Sequence, residues 1–175
     1  MNSGVNADSP MEQPAGVLGS AFPIGVMMAV AMWTSGYIAR LPFVDAHPAL
    51  LFVVLAVLVL LGGRFAALAH PRRWSAALTA TCTAATFDLL VLGSYLAEDL
   101  ADTGPAILAV TGFFGTMMLL GLLGAATVSP VKRSWSREQG QHGMCLSTFI
   151  ATLVMIAIGG LVTSEEAGMA VPDWP

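Results

Sequence analysis

The sequence predicts an all-α integral membrane protein, a polytopic bundle of about five transmembrane helices. The 175-residue chain is 56% hydrophobic and only 10% charged, and its mean hydropathy is +0.76, which leaves too little polar surface for a soluble globule. Five continuous apolar stretches reach the roughly 20 residues that a helix needs to cross about 30 Å of hydrocarbon. Their residues do not alternate between apolar and polar, so the pattern of a membrane β-barrel is excluded.

The predicted spans are 21–39, 48–69, 74–97, 105–128 and 144–163. Residues 1–18 precede the first span and hold no Lys or Arg, so they lack the basic segment of a cleavable signal peptide, and we expect a short disordered leader. The connection 98–104 is short enough to make the third and fourth spans an antiparallel hairpin.

Basic residues predict the orientation, because Lys and Arg accumulate in short cytoplasmic loops. They cluster after the second and fourth spans, at Arg64, Arg72, Arg73, Lys132, Arg133 and Arg137. We therefore expect both loops inside, a cytoplasmic amino terminus, and a carboxy terminus on the outer face with Glu165, Glu166 and Asp173. The lipid bilayer is the expected partner, and no basic patch indicates nucleic-acid binding.

Asp88 is the one carboxylate predicted deep within a span. A charged Asp at a helix centre costs roughly 2.5–3.5 kcal/mol on insertion scales, so its presence requires a reason. Ala76, Ala80, Ala84 and Asp88 recur at i, i+4 spacing, which places the carboxylate on a stripe of small residues that should face another helix. Hydrogen-bond donors at a similar depth are Trp33, Thr34, Thr111 and Thr116.

Two interpretations of Asp88 stay open on the sequence. The carboxylate is either a proton-relay or ligand-binding group, or an interhelical hydrogen-bond anchor.

Small residues also mark the third and fourth spans, at Ala77, Thr81 and Ala85 and at Gly112, Thr116, Gly121 and Ala125. This spacing predicts close packing of the two spans, with a cofactor groove along 112–124 as the alternative.

Metal and haem ligands are sparse. His47, His70 and His142 all lie outside the predicted spans, and no two are spaced to hold a metal together. Cys82 and Cys145 are expected to act as small apolar residues. Methionines such as Met27, Met28, Met117 and Met118 sit in apolar stretches, where gap-filling or lipid contact is expected rather than copper handling. We predict no metal site.

The carboxy-terminal residues carry the most specific pattern. After an apolar span come Gly159-Gly160-Leu-Val-Thr163, then Gly168, and finally Val-Pro172-Asp173-Trp174-Pro175. Glycines permit close approach or a turn, and Gly168 is open to positive φ. The two prolines hold Asp173 and Trp174 in extended geometry. This segment, from His142 onward, resembles the haem A synthase family, in which a Gly-Gly-Leu-Val-Thr-like helix end opens an outer loop with a Val-Pro-Asp-Trp-Pro-like run.

The resemblance implies the start of a haem A synthase-like domain over 144–175, preceded by a four-helix extension of unknown role over 19–128 and a basic cytoplasmic loop over 129–143. It further implies that the complete protein oxidises haem O to haem A and has haem as its cofactor. The partners implied are haem O or haem B and cytochrome oxidase assembly factors, and the location implied is a bacterial inner membrane. The residues that match the family are Gly159, Gly160, Thr163, Gly168, Pro172, Asp173, Trp174 and Pro175.

The sequence also departs from the family. The family's haem-ligating histidines and a Glu-x-x-His-Arg-like element lie in later spans, and Glu165 and Glu166 do not fit that element. We therefore expect a fragment of a longer synthase that is inactive as this chain, and no haem in the chain alone. The alternative is a complete chain that shares only the loop: a non-enzymatic membrane assembly or interaction module, or a small transporter built around Asp88.

Overall fold

The computed structural model describes residues 14–41, 44, 47–99, 103–132 and 134–170, and for residues 92, 94–99, 103 and 161–170 the backbone alone. This part of the chain forms five α-helices, which are α1 Val17–Ala39, α2 Pro48–Ala69, α3 Arg73–Asp99, α4 Thr103–Ala126 and α5 Arg137–Ala170. All five are long and apolar enough to cross a membrane. The predicted fold class, an integral membrane helical bundle, is confirmed.

Helix α5 begins at Arg137 and not at residue 144, because a capping box starts it. The Ser136 backbone N–H donates to Gln139 Oε1 at 2.9 Å, and the Gln139 backbone N–H donates to Ser136 Oγ at 3.2 Å. Hydropathy locates the bilayer crossing and misses these polar first turns. The helix therefore takes up the second half of the loop predicted over 129–143.

Helix α5 also extends further than predicted, to Ala170 instead of residue 163. Gly159, Gly160 and Gly168 therefore lie within a helix, and the expected turn at these glycines is wrong for the described backbone. Glycine lowers helix stability by only about 1 kcal/mol per residue, which neighbouring residues offset. Residues 171–175 of the motif lie outside the described residues.

The prediction of a disordered leader is wrong for residues 14–18. Helix α1 already begins at Val17, and Ala15 is buried, with its N–H donating to the Trp135 carbonyl at 2.8 Å. The Trp135 N–H in turn donates to the Ala69 carbonyl at 2.9 Å. A residue before α1, the last residue of α2 and a residue before α5 are thus joined at one end of the bundle. Residues 1–13 lie outside the described residues.

Basic side chains gather at that same end. Arg64 Nη1 donates to the Thr127 carbonyl at 3.3 Å and to Thr127 Oγ1 at 2.8 Å, and Arg73 Nη1 donates to the Val128 carbonyl. We call this the basic end, defined by Arg64, Arg72, Arg73, Lys132 and Arg137. The two loops that charge predicts to lie on one side of the membrane therefore meet.

The helices alternate in direction from the basic end. Helices α1, α3 and α5 run away from it, and α2 and α4 return toward it. Helix α1 packs on α2, α3 and α5, and helix α4 packs on α2 and α3. Within the described residues α5 contacts α1 but no other helix. The first four helices thus form a compact group with α5 at its edge.

Glycines bring α2 and α4 into backbone contact. Gly63 lies against the Gly121 backbone, and Gly124 lies against the Leu60 carbonyl, so close that a Cβ on Gly63 or Gly124 would overlap backbone atoms. Apolar burial gives helices no preference for each other over lipid, whereas close approach at small residues does. The α2–α4 contact was not predicted from the sequence.

The predicted packing of α3 on α4 is correct only toward the basic end. Gly121 lies against the Thr81 side chain, and Ala125 is buried in a cluster with Ala77. In contrast, Gly112 and Thr116 are exposed, and a Cβ at Gly112 would meet open space. These two residues therefore form neither the expected contact nor a closed cofactor groove.

A proline in α1 shapes the surface on which α5 packs. Pro23 has no N–H, so the Gly19 carbonyl lacks its usual helical donor. Gly140 of α5 lies against this carbonyl, and a Cβ there would come within 2.5 Å of the oxygen. Ser147 Oγ, itself buried, donates to the Pro23 carbonyl at 3.1 Å and to the Gly143 carbonyl at 2.8 Å. Helix α5 is thus fixed to α1 along its first half.

We predict opposite effects for two glycine substitutions in α4. Gly124→Ala should lower stability by about 1–3 kcal/mol, because its Cβ must displace the α2 backbone. Gly112→Ala should be neutral or stabilising by up to about 1 kcal/mol, because the site is open and Ala favours helix. Thermal unfolding in detergent measures both, and equal effects would show that α2 and α4 are not in backbone contact.

Candidate functional site

Asp88 lies buried in the bundle, on the stripe predicted from the sequence. It sits on α3 about 22 Å along the helix from Arg73 at the basic end, and it is 2% exposed. Ala76, Ala80 and Ala84 on the same face are fully buried. The stripe therefore faces neighbouring helices as expected, and it ends in a carboxyl group.

Trp33 of α1 is the polar side chain that approaches the Asp88 carboxyl. Helices α1 and α3 start at the basic end and run parallel, so the two residues reach nearly the same depth. The indole N–H of Trp33 and both carboxyl oxygens of Asp88 are buried, and none has a hydrogen bond of good geometry within the described part of the chain. The two groups are close without being bonded.

The three threonines predicted as possible partners of Asp88 do not donate a hydrogen bond to it. Thr34 Oγ1 donates to the Val30 carbonyl of its own helix at 2.7 Å, and Thr116 Oγ1 donates to the Gly112 carbonyl at 2.8 Å. Thr111 and Thr116 are both exposed. Threonine hydroxyls in membrane helices often donate to a backbone carbonyl one turn earlier in their own helix. A hydroxyl bonded in this way does not donate to a carboxyl group on another helix.

The surroundings of Asp88 are apolar. One turn earlier, Ala84 and Ala85 belong to a buried cluster with Met28, Met32 and Met117, and Trp33 packs against it. The burial of Met28 and Met117 agrees with gap-filling.

No ion pair or hydrogen bond from a charged side chain to Asp88 is found among the described residues. Helices α1 and α4 contain no Lys, Arg, Asp or Glu, and Arg64 and Arg73 bond to loop residues at the basic end. A buried carboxyl with no cation and no hydrogen bond is costly. The anchor interpretation of Asp88 therefore lacks its hydrogen bond among the described residues, and the functional interpretation stays a prediction.

Two of the three histidines bond to backbone at helix ends. His47 Nδ1 accepts the Ala49 N–H at 3.2 Å, where it caps α2, and His70 Nδ1 accepts the Arg72 N–H at 3.0 Å. His142 lies inside α5, not before it, and is exposed near the basic end. Among the described residues no group of three or more His, Cys, Asp or Glu could hold a metal ion.

The two cysteines are unpaired. Cys82 is partly buried on α3 and Cys145 is exposed on α5.

Of the residues predicted to match the family, Gly159 and Gly160 are exposed on α5. Thr163 and Gly168 have only a described backbone, and Pro172, Asp173, Trp174 and Pro175 lie outside the described residues. The structure therefore does not bring the motif together with Asp88 in one described site.

An apolar cleft between α1, α2 and α5 was not predicted from the sequence. Its volume is about 330 Å³, and α2 and α5 do not touch each other where they are described. Helix α1 forms its floor with Pro23, Met27 and Ala31. Helical periodicity shows which residues share a face but not which two helices stand apart, so no signal in the sequence indicated it.

A comparison of the chain with protein-family models, with curated proteins and with solved structures finds no match. The fold and the position of Asp88 therefore define the class of protein, which is an integral membrane helical bundle with a buried carboxyl group.

We predict that Asp88 makes no net contribution to stability. Asp88→Leu should melt at the same temperature as the parent protein or higher, because it removes a buried polar group that has no described partner. Asp88→Asn should differ little from the parent. Ser147→Leu is the control and should destabilise, because Ser147 bonds to Pro23. Strong destabilisation by Asp88→Leu in detergent melts would instead reveal a structural bond.

We also predict a modest loss of stability at mildly acidic pH through His70. Burial, and secondarily the Arg72 guanidinium, lower the pKa of His70, so the unfolded chain binds this proton more readily than the folded one. Stability is full above the unfolded value of about 6.5 and falls as the pH drops below it. His70→Asn should flatten this dependence, as judged by melting temperatures from pH 8 to 5, and an unchanged slope in this variant would contradict the prediction.

Proposed function

We propose that the chain is a piece of a haem A synthase-like membrane protein that serves haem A biosynthesis and cytochrome oxidase assembly in a bacterial inner membrane. The observation that carries the proposal is the run from Gly159 to Pro175, which resembles the family's segment in the type and order of its residues, although its part up to Ala170 continues α5 here. Asp and Trp between two prolines directly after an apolar helix form an uncommon combination.

The position of α5 supports the proposal. Its first half is fixed to α1 through Gly140 and Ser147, whereas beyond Ser147 its large side chains, such as Phe149, Leu153 and Ile156, are exposed. A helix that leads into a second group of helices would be attached in this way, held at its start and open along the rest. The four preceding helices then act as a membrane anchor for that second group.

The proposed division of roles leaves haem chemistry outside the described residues. His47 and His70 use Nδ1 at helix ends, and His142 lies near the basic end, away from Gly159 and Gly160. The axial histidines and the carboxylate that oxidise the haem O methyl group to a formyl would come from other helices of the synthase. We therefore propose that this chain by itself has no synthase activity.

Deleting the gene of the longer synthase-like protein that contains this chain tests the proposal. The membranes should lose haem A and accumulate haem O, as measured by extraction and chromatography, and the a-type absorbance of the oxidase should disappear. Restoring the wild-type gene should reverse both changes. Trp174→Ala or Asp173→Ala should not, because they remove the loop residues that carry the resemblance.

Trp74→Ala provides the matched control. Trp74 lies at the basic end, where Arg73 stacks on its ring, and its loss should leave the haem A content unchanged. An unaltered haem A level after gene deletion would refute the proposal.

A second candidate function, proton-coupled transport, is favoured by one observation. Both oxygens of Asp88 are buried without a hydrogen bond in the described part of the chain, and an intramembrane carboxyl of this kind is a candidate proton site. Under this proposal Asp88→Asn abolishes a proton-coupled flux in proteoliposomes, while Asp88→Glu retains part of it. Undiminished flux in Asp88→Asn would remove the candidate.

A further inference from the structure

We propose that the basic end binds one anionic phospholipid, with an acyl chain in the cleft between α2 and α5 and the phosphate beside Lys132. This proposal does not depend on the synthase-like function. It rests on two cavities that share a tryptophan, one apolar and one polar.

The apolar cavity is a cleft open to the side of the bundle. Its walls are Leu58, Leu61 and Phe65 of α2 and Leu146 of α5. Because α2 and α5 do not meet over their described lengths, the opening faces the lipid. Pro23 and Ala31 on the floor place it about 9 to 21 Å along α1 from the basic end, which is the depth of an acyl chain in the nearer leaflet.

The lining of the cleft is mostly apolar. Ser147 already donates to the carbonyls of Pro23 and Gly143, and the other polar group among the lining side chains is the indole of Trp135 at the basic end. A ligand that needs several hydrogen bonds would find few partners there. The chemistry of the cleft therefore selects a plain hydrocarbon chain, which the surrounding bilayer supplies.

The polar cavity lies directly above the cleft, at the basic end. Its volume is about 780 Å³, and Lys132, Ser134, Ser136 and Gln139 contribute polar atoms to its lining. Among the residues that the structure describes, no Asp or Glu lines it, and Lys132 is the charged side chain in its lining. Glu138 is exposed in the first turn of α5 but does not line the cavity.

Trp135 joins the two cavities, because it lines both of them. Its backbone is held between Ala15 and Ala69 by hydrogen bonds of 2.8 and 2.9 Å, so the ring stays at the boundary. Tryptophan prefers the level of lipid headgroups. A hydrocarbon slot that leads past an interfacial tryptophan to a cationic pocket fits a molecule with an apolar chain and an anionic head, and basic pockets between helices bind such lipids.

Lipid titration tests the proposal. The delipidated protein in detergent is titrated with phosphatidylglycerol and with phosphatidylcholine of the same acyl chains, and native mass spectrometry counts bound lipids. One phosphatidylglycerol should bind about fivefold more tightly, the factor expected for one basic residue at an anionic headgroup. Lys132→Gln should remove the difference, and Lys132→Arg should keep it.

Matched variants separate the two cavities. Ala31→Leu fills the cleft floor and should weaken both lipids, whereas Ala109→Leu on an exposed face of α4 and Arg40→Gln, an exposed residue that ends α1, should change neither. Equal affinity for the two lipids in the parent protein would overturn the proposal. Displacement of the bound lipid by inorganic phosphate alone would also overturn the proposal, because it would show that the cationic pocket binds a free anion.

Discussion

Close approach of helix backbones is the constraint on which this bundle depends. Between Gly63, Gly121 and Gly124 the α2 and α4 backbones touch, and no side chain larger than hydrogen fits at these contacts. In water the burial of leucine and valine side chains would suffice to hold helices together, but lipid solvates those side chains equally well. Small residues are therefore concentrated where helices cross, and the large apolar ones, such as Phe52, point outward.

Helix α1 connects the other elements. It packs on α2, on α3 and on α5, and it contributes Trp33 to the surroundings of Asp88, Pro23 to the surface on which α5 packs and Ala31 to the cleft. A single helix thus contacts the buried carboxyl group, the attachment of the fifth helix and the lateral opening. Any movement of α1 would alter all three together, which links the interior of the four-helix group to the position of α5.

Hydropathy alone predicted the five helices, because crossing a bilayer requires long apolar stretches that few other structures contain. The boundaries at Val17 and Arg137 depend on polar turns and a capping box, which hydropathy does not register. The burial of Asp88 followed from the alanine stripe. Of its predicted neighbours, Trp33 does approach the carboxyl, whereas Thr111 and Thr116 do not, since spacing along α4 cannot tell that these two threonines face outward while Gly121 faces inward. The cleft arises from a missing contact, which no local pattern encodes.

The hydrogen bond from Ser147 to Pro23 joins residues 124 positions apart, so the acceptor is made long before its donor. At roughly 5–20 residues per second, synthesis leaves an interval on the order of ten seconds. During that time the proline-interrupted turn of α1 presents the Gly19 and Pro23 carbonyls to the membrane without the helix that later covers them. Assembly of this protein consequently passes through a four-helix stage in which the Gly19 and Pro23 carbonyls on the first helix stay uncovered, and they are covered when α5 leaves the translocon.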